Sequence, residues 1–413
     1  MNIETIDAME ILDSRGNPTV AAWCRLSNGI SARADAPSGA STGTHEAVEL
    51  RDGDAGRYSG KGVLRAVVNV TERIAPALAG ERADQQAVVD RILRELDGTR
   101  TKSGLGANAM IAVSCAVARA AARSHKVPLW RYLAGNRMAT LPLPMANILS
   151  GGHHASHNVD FQDFLVIPHG VEDYSRQLEA ITAVHRSARR TIEDHGYTLT
   201  GVADEGGWGP RLESNERAAG LLMEAIERSG FRPGSQVSVA LDVAASHFHC
   251  GGRYALEADN RVLTSSEMVD LLASWRRRYP IRSIEDGLDE DDWDGWRELT
   301  TRLGPTTQLV GDDLFTTNLD RLERGIEAGC ANAVLVKMNQ IGTLTETFAV
   351  IDRARAAGYR AVISARSGET EDDFLADLAT ASGAGQIKIG SITRSERLAK
   401  YNRLLEIGRE LAA

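Results

Sequence analysis

The chain has 413 residues, 43% of them hydrophobic and 25% charged, with a formal net charge of −9. That balance suits a soluble globular protein too long for one small core, and it argues against nucleic acid or an anionic membrane as the main partner. Four scattered cysteines without a CxxC pair, no signal-like N-terminus and no apolar run near the roughly 18 residues of a membrane span predict a reducing, cytoplasmic setting.

Residues 3 to 36 alternate polar and apolar positions, with turn signals at Ser14-Arg-Gly-Asn-Pro18 and Ser27-Asn-Gly29, and predict an antiparallel meander. The small-residue stretch from Pro37 to Gly43 predicts a mobile surface loop. His45-Glu-Ala-Val-Glu49 lacks the second histidine of a zinc-protease helix and carries no assignment. Apolar spacings of three and four over 62–80, 84–97 and 106–125 predict three helices packed on the meander, giving a small α+β N-terminal domain. Leu141-Pro-Leu-Pro144 marks the passage into the rest of the chain, because proline blocks helix continuation. The expected division is therefore 1–136 and 137–413.

A flexible loop, Ser150-Gly-Gly-His-His-Ala155, precedes a predicted strand over 159–167 and a long amphipathic helix over 171–195. The turn Gly201-Val-Ala-Asp-Glu-Gly-Gly-Trp208 holds Asp204 and Glu205 at its centre. Short β-branched runs then recur, each closing on a polar residue: Asp242, Glu285, Asp312, Lys337, Ser364 and Lys388. The intervals are 43, 27, 25, 27 and 24 residues, and all but the first match a strand plus crossover helix. Such units in succession predict a parallel β/α barrel, in which strand C-termini share one mouth. Three carboxylates and two lysines would then occupy one small volume. The carboxylates would repel one another unless a divalent cation such as Mg²⁺ lay between them. A lysine beside that cation and another lysine would have a lowered pKa and could act as a base.

Ile11-Leu-Asp-Ser-Arg-Gly-Asn-Pro-Thr-Val20, Ser38-Gly-Ala-Ser-Thr-Gly43, Ser364 to Thr370 and Ser395-Glu-Arg-Leu-Ala-Lys400 are long motifs, and on them the chain resembles the enolase family from end to end. The resemblance implies an α+β lid domain on a TIM-like, enolase-type barrel, usually a homodimer, that dehydrates 2-phosphoglycerate with two Mg²⁺. It implies Asp242, Glu285 and Asp312 as ligands of the tighter ion, and Ser41 as a ligand of a second, substrate-dependent one. Lys337 resembles the base, Glu205 the acid that assists loss of the hydroxyl, and Lys388 a cation stabilising charge on the substrate carboxylate. Arg366 and Ser367 resemble the phosphoryl-binding pair, and His154 a substrate contact, while His153 is expected to stand apart. Arg394 and Glu396 are expected to form a structural ion pair.

The chain departs from the family at positions that face the substrate. Ala365 stands where the family has histidine and Asp163 where it has glutamate; Ala203, Gly287, His247 and His249 are further changes. A preserved charged set with an altered surround resembles the requirement of the enolase-like synthases of phosphonate antibiotic pathways, whose substrate resembles 2-phosphoglycerate with a carboxyl group on phosphorus. The expectation is thus a small anionic phosphorylated or phosphonylated glycerate. Ordinary glycolytic enolase activity and a non-catalytic binding role are the alternatives.

Overall fold

The computed structural model describes residues 1–39 and 43–412. The predicted meander is present: β1 (Ile3–Leu12), β2 (Pro18–Leu26) and β3 (Ser31–Asp35) form an antiparallel sheet in the order β1-β2-β3. Its buried positions include Ile3, Ile6, Val20, Ala22, Cys24 and Ala34, which face the helices that follow. The first predicted helix is two pieces, α1 (Leu64–Val68) and α2 (Ala75–Leu78), joined through a wider π-helical segment at Asn69–Ile74. Then come α3 (Gln86–Asp97), α4 (Ala107–His125) and a short α5 (Leu129–Ala134). As its all-round apolar sequence requires, α4 is buried on nearly every side.

The second part is a closed eight-stranded barrel. Its elements begin with β4 (Leu143–Ser150), β5 (Asp163–Ile167), α6 (Tyr174–Asp194), α7 (Asn215–Arg228) and β6 (Ser238–Asp242). A small antiparallel sheet of β7 (His249–Cys250), β8 (Arg253–Leu256) and β9 (Arg261–Leu263) precedes α8 (Ser265–Arg278), and accounts for the long 43-residue interval. From there strand and helix alternate: β10 (Ile281–Glu285), α9 (Trp293–Leu303), β11 (Gln308–Gly311), α10 (Leu319–Ala328), β12 (Ala333–Val336), α11 (Leu344–Ala356), β13 (Arg360–Ser364), α12 (Phe374–Ser382), β14 (Gly385–Gly390) and α13 (Ser395–Ala412).

The units expected to be parallel, from β6 through β10 to β14, pair in parallel, but the barrel is not parallel throughout, because β5 pairs antiparallel with both β4 and β6. No crossover helix lies between β4 and β5, and a strand that returns without one must run the other way. The strand is also shorter than the predicted 159–167: the N–H groups of Asp160 and Phe161 donate to Asn215 Oδ1 rather than to a neighbouring strand. Reversal puts the first residue of β5, Asp163, at the mouth where the other strands end. The interior is filled by Met145, Leu165, Ile167, Ala240, Val310, Ala333, Leu335 and Val362, so the barrel is a packed core with polar chemistry confined to its rim.

Ser38, in the described part of the predicted mobile loop, is buried and bridges to Gly368. No helix among the described residues is long and apolar enough to cross a membrane.

Candidate active site

Strand register places Asp163 opposite Asp242 and Asp242 opposite Glu285, so three carboxylates stand side by side at one level of the rim. All three are at least 97% buried. Like charges so close in low dielectric need a cation. Lys388, from β14 across the mouth, supplies it: Nζ donates to Asp242 Oδ2 at 2.7 Å and to Glu285 Oε1 at 2.8 Å. Compensation is unequal. Burial pushes Asp242 up, but Lys388 more than offsets this and holds it below the usual carboxylate range. Burial and the neighbouring Asp242 push Glu285 well up, and its Oε2 is buried without a hydrogen-bond partner among the described residues.

Asp312 and Lys337 follow the ends of β11 and β12, and the Lys337 ammonium contacts Asp312 Oδ2. The lowered lysine pKa expected from the sequence was that of a lysine beside a bound dication; here the partner is the Asp312 carboxylate itself. Burial does pull Lys337 down, but Asp312, with help from Glu285 and Glu46, outweighs it and holds the ammonium above its ordinary value. Gln340 links the two rim positions: its Nε2 donates to Asp312 Oδ1 at 3.0 Å, and its Oε1 accepts from Thr317, whose Oγ1 accepts the Lys337 N–H.

On the opposite side, Glu205 sits in a turn whose next residue, Gly206, has φ +90°, where an added Cβ would meet Thr393 Oγ1 at 2.4 Å. His154 lies between two acids, with Nδ1 2.8 Å from Asp163 Oδ2 and Nε2 3.8 Å from Glu205 Oε1. Burial opposes its charge, yet Asp163 and Glu205 raise it to about 9. Glu205 moves the other way: burial pushes it up, but His154, Arg397 and the two lysines bring it below its usual value. Both shifts favour the charged pair, an imidazolium beside a carboxylate. Asp163 also accepts from Ser150 at 3.1 Å and from Asn147, which fixes its short side chain at the base of the site.

Arg366 and Ser367 occupy the turn after β13. The guanidinium is held by Glu46, with Nη1 to Oε2 at 2.9 Å and Nη2 to Oε1 at 3.2 Å, and by Asn339 Oδ1 at 3.1 Å. Glu46 belongs to the segment given no assignment from sequence. Its neighbour Glu49 accepts the Gly39 N–H, while Glu46 itself accepts that of Gly43. No metal-site or phosphate-loop pattern could have flagged these carboxylates; their only sequence signal is position beside the small-residue loop. Gln162, whose Nε2 donates to Asp242 Oδ2 at 3.2 Å, was likewise missed beside Asp163.

These side chains enclose a cavity of about 20 Å³ lined by His154, Glu205, Lys337, Ala365, Arg366 and Lys388, among others. Ten of the eleven residues singled out from sequence meet around this mouth; Ser41 lies outside the described residues. His153 turns away and packs edge-on against His157 and His247. Arg394 and Glu396 pair at 2.9 Å, away from the cavity lining.

Two groups of ligand atoms converge within 4.8 Å: His154, Asp163 and Glu205, and Asp286, Asp312 and Asp313. Either could hold a metal ion, although Asp286 already accepts the N–H groups of Asp312 and Asp313. Asp242, Glu285 and Asp312 are not such a group here; Lys388 bridges the first two and Lys337 engages the third. The donor chemistry still fits a hard divalent cation, because Glu285 Oε2 is a buried, unpartnered oxygen in an under-compensated acidic layer.

A family model for the enolase C-terminal TIM barrel domain matches residues 138–413, and one for the enolase N-terminal domain matches residues 3–133. The chain belongs to the enolase family. The closed barrel with its smaller N-terminal domain is consistent with that family, and the acidic rim is the part of this enolase-family chain suited to a metal ion.

Proposed function

We propose that this chain is a Mg²⁺-dependent hydro-lyase acting on a 2-phosphoglycerate-type acid that carries a carboxyl group on phosphorus, as a carboxyphosphonoenolpyruvate synthase does. The observation that carries this reading is Ala365, which lines the cavity between Ser364 and Arg366 beside an otherwise complete charged set. A histidine there would fill the space next to the phosphoryl-binding turn; a methyl group leaves it to the substrate. In this reading residues 1–136 are a lid domain over the barrel of residues 137–413, and the enzyme is a cytoplasmic homodimer.

Asp242, Glu285 and Asp312 would hold one Mg²⁺ and Ser41 would help hold a second; bound there, the ions supply positive charge for a substrate carboxylate on which negative charge builds. A cation held by Asp312 would weaken the interaction that keeps Lys337 protonated, and Lys337 Nζ is the base for the proton alpha to that carboxylate. Lys388 remains charged and stabilises the same carboxylate. Arg366 and Ser367 orient the phosphoryl end. The imidazolium of His154, next to Glu205, supplies the proton with which the hydroxyl leaves as water. Asp163 holds His154 in place for that transfer, one methylene further from the substrate than a glutamate would be.

The charged set alone does not choose between the two substrates, so substrate preference is the deciding test. With Mg²⁺, the phosphonoformyl analogue should be turned over with the higher kcat/KM, and 2-phosphoglycerate poorly. Efficient turnover of 2-phosphoglycerate with no gain for the analogue would refute the assignment and leave a glycolytic enolase.

A further inference from the structure

Arg397, on α13, is fully buried and is not among the residues to which the sequence motifs gave a role. Among the described residues its guanidinium makes no short pair with a carboxylate; Glu396 Oε1 is 3.6 Å from Nε and already accepts from Arg394 at 2.9 Å. Instead Nη1 donates to Arg366 O at 2.6 Å and to Ile389 O at 3.0 Å, and Nη2 donates to Ser367 O at 2.6 Å. Nε is buried without a hydrogen-bond partner among the described residues. Burying a full charge against neutral carbonyls costs free energy that a neutral side chain would not, so the placement calls for a reason.

The three carbonyls supply one. Two belong to the residues assigned to the phosphoryl group, and the third follows Lys388 directly in β14. The same helix reinforces the turn, since Lys400 Nζ donates to Thr370 O at 2.6 Å and pairs at 2.9 Å with Glu369, which accepts the Arg366 N–H. Gly390 completes the fit: a Cβ there would stand 3.1 Å from Arg397 Cδ and 3.1 Å from Glu205 O. The guanidinium therefore ties the turn after β13 to the end of β14, next to the backbone that carries Glu205.

We propose that Arg397 is a positioning residue: its planar fork fixes the Arg366–Ser367 turn against the end of β14 and so sets the spacing between the phosphoryl-binding pair and Lys388. An ammonium cannot reproduce this, because one Nζ cannot span three carbonyls in the geometry of a fork. The charge also favours an ionised Glu205, in keeping with the downward influence of Arg397 on that carboxyl. This inference rests on the functional reading above for what binds at the turn, and on the geometry alone for what holds it.

The test compares wild type, Arg397→Lys and Arg397→Gln, each checked for native circular dichroism. Two readouts are the KM and kcat for the better of 2-phosphoglycerate and its phosphonoformyl analogue, and calorimetric affinity for inorganic phosphate. Because Lys337 and β12 are untouched, both variants should raise KM and weaken phosphate binding by about tenfold or more, with kcat falling much less, and added guanidinium should partly restore KM in Arg397→Gln. A residue needed only for stability would lower kcat with the folded fraction and leave KM and phosphate affinity unchanged. That result, or the failure of both variants to fold, would overturn the proposal. If wild type turns over neither substrate, the functional reading fails while phosphate affinity still decides the role of Arg397.

Discussion

Replacing Lys388 with methionine removes the one ammonium that bridges Asp242 and Glu285 while keeping most of the side-chain volume. Both carboxylates are buried, and they face each other in register on adjacent strands. Breaking a buried ion pair by removing one partner costs about 3–5 kcal/mol, because the charges left behind are neither solvated nor paired. Part of that cost is recoverable by protonation. Burial and Asp242 already push Glu285 well up in the wild type, and loss of Lys388 pushes it further. A carboxyl with a raised folded-state pKa binds more protons folded than unfolded, so its contribution to stability falls as pH rises through the window above its unfolded pKa. The variant should therefore be least destabilised near pH 5 and progressively more so toward about pH 8. A divalent cation binding the same oxygens should restore stability, by about 2.7 kcal/mol at a free concentration a hundred times its Kd. Denaturant melts of both proteins, in chelator and in Mg²⁺, across that pH range, measure all three effects. Equal stability of variant and wild type in chelator, or a larger Mg²⁺ gain for wild type than for the variant, would refute the reasoning.

Ala365→His should shift the ratio of kcat/KM toward 2-phosphoglycerate and away from the phosphonoformyl analogue; an unchanged ratio in paired assays would count against the substrate assignment. His154, raised to about 9, contributes stability that is fully present below its unfolded pKa and is lost as pH rises through 9. The stability difference between wild type and His154→Gln should accordingly shrink between about pH 6.5 and 9.5. Glu46→Gln removes the carboxylate that occupies the Arg366 guanidinium, and should tighten binding of inorganic phosphate several-fold in calorimetry; weaker binding would mean that Glu46 acts mainly by holding Arg366 in place.

Much of this site was legible in the sequence because each barrel strand is a short, fully buried apolar run whose next residue must emerge at the rim. Asp242, Glu285, Asp312, Lys337 and Lys388 could be placed together on that ground. The direction of β5 was not legible from a strand-and-helix period: it depends on a connection that lacks a helix, and apolar content says nothing about strand polarity. For the same reason Asp163 was known as a motif position before it could be placed at the mouth. What holds the Lys337 proton was not legible, because it turns on one neighbour, Asp312, whose contact is set by side-chain geometry across two strands. Glu46 and Gln340 were missed because their partners lie hundreds or tens of residues away and their own neighbourhoods carry no catalytic pattern; Arg397 lies inside the Ser395 to Lys400 motif, but nothing in that motif says which backbone it holds. Asp90 in α3, which accepts from Ser114 and Thr345, illustrates the same point in the region outside the active site.

In the proposed reaction Lys337 removes a proton next to a carboxylate held at this acidic rim with Mg²⁺. Exchange of the alpha proton of 2-phosphoglycerate or its phosphonoformyl analogue into D₂O, followed by proton NMR, tests it without requiring product release. Wild type should catalyse exchange with Mg²⁺ and not in chelator, and Lys337→Ala should abolish it while retaining the fold. Exchange that persists undiminished in Lys337→Ala, or its absence from wild type with Mg²⁺ and both substrates, would contradict the account.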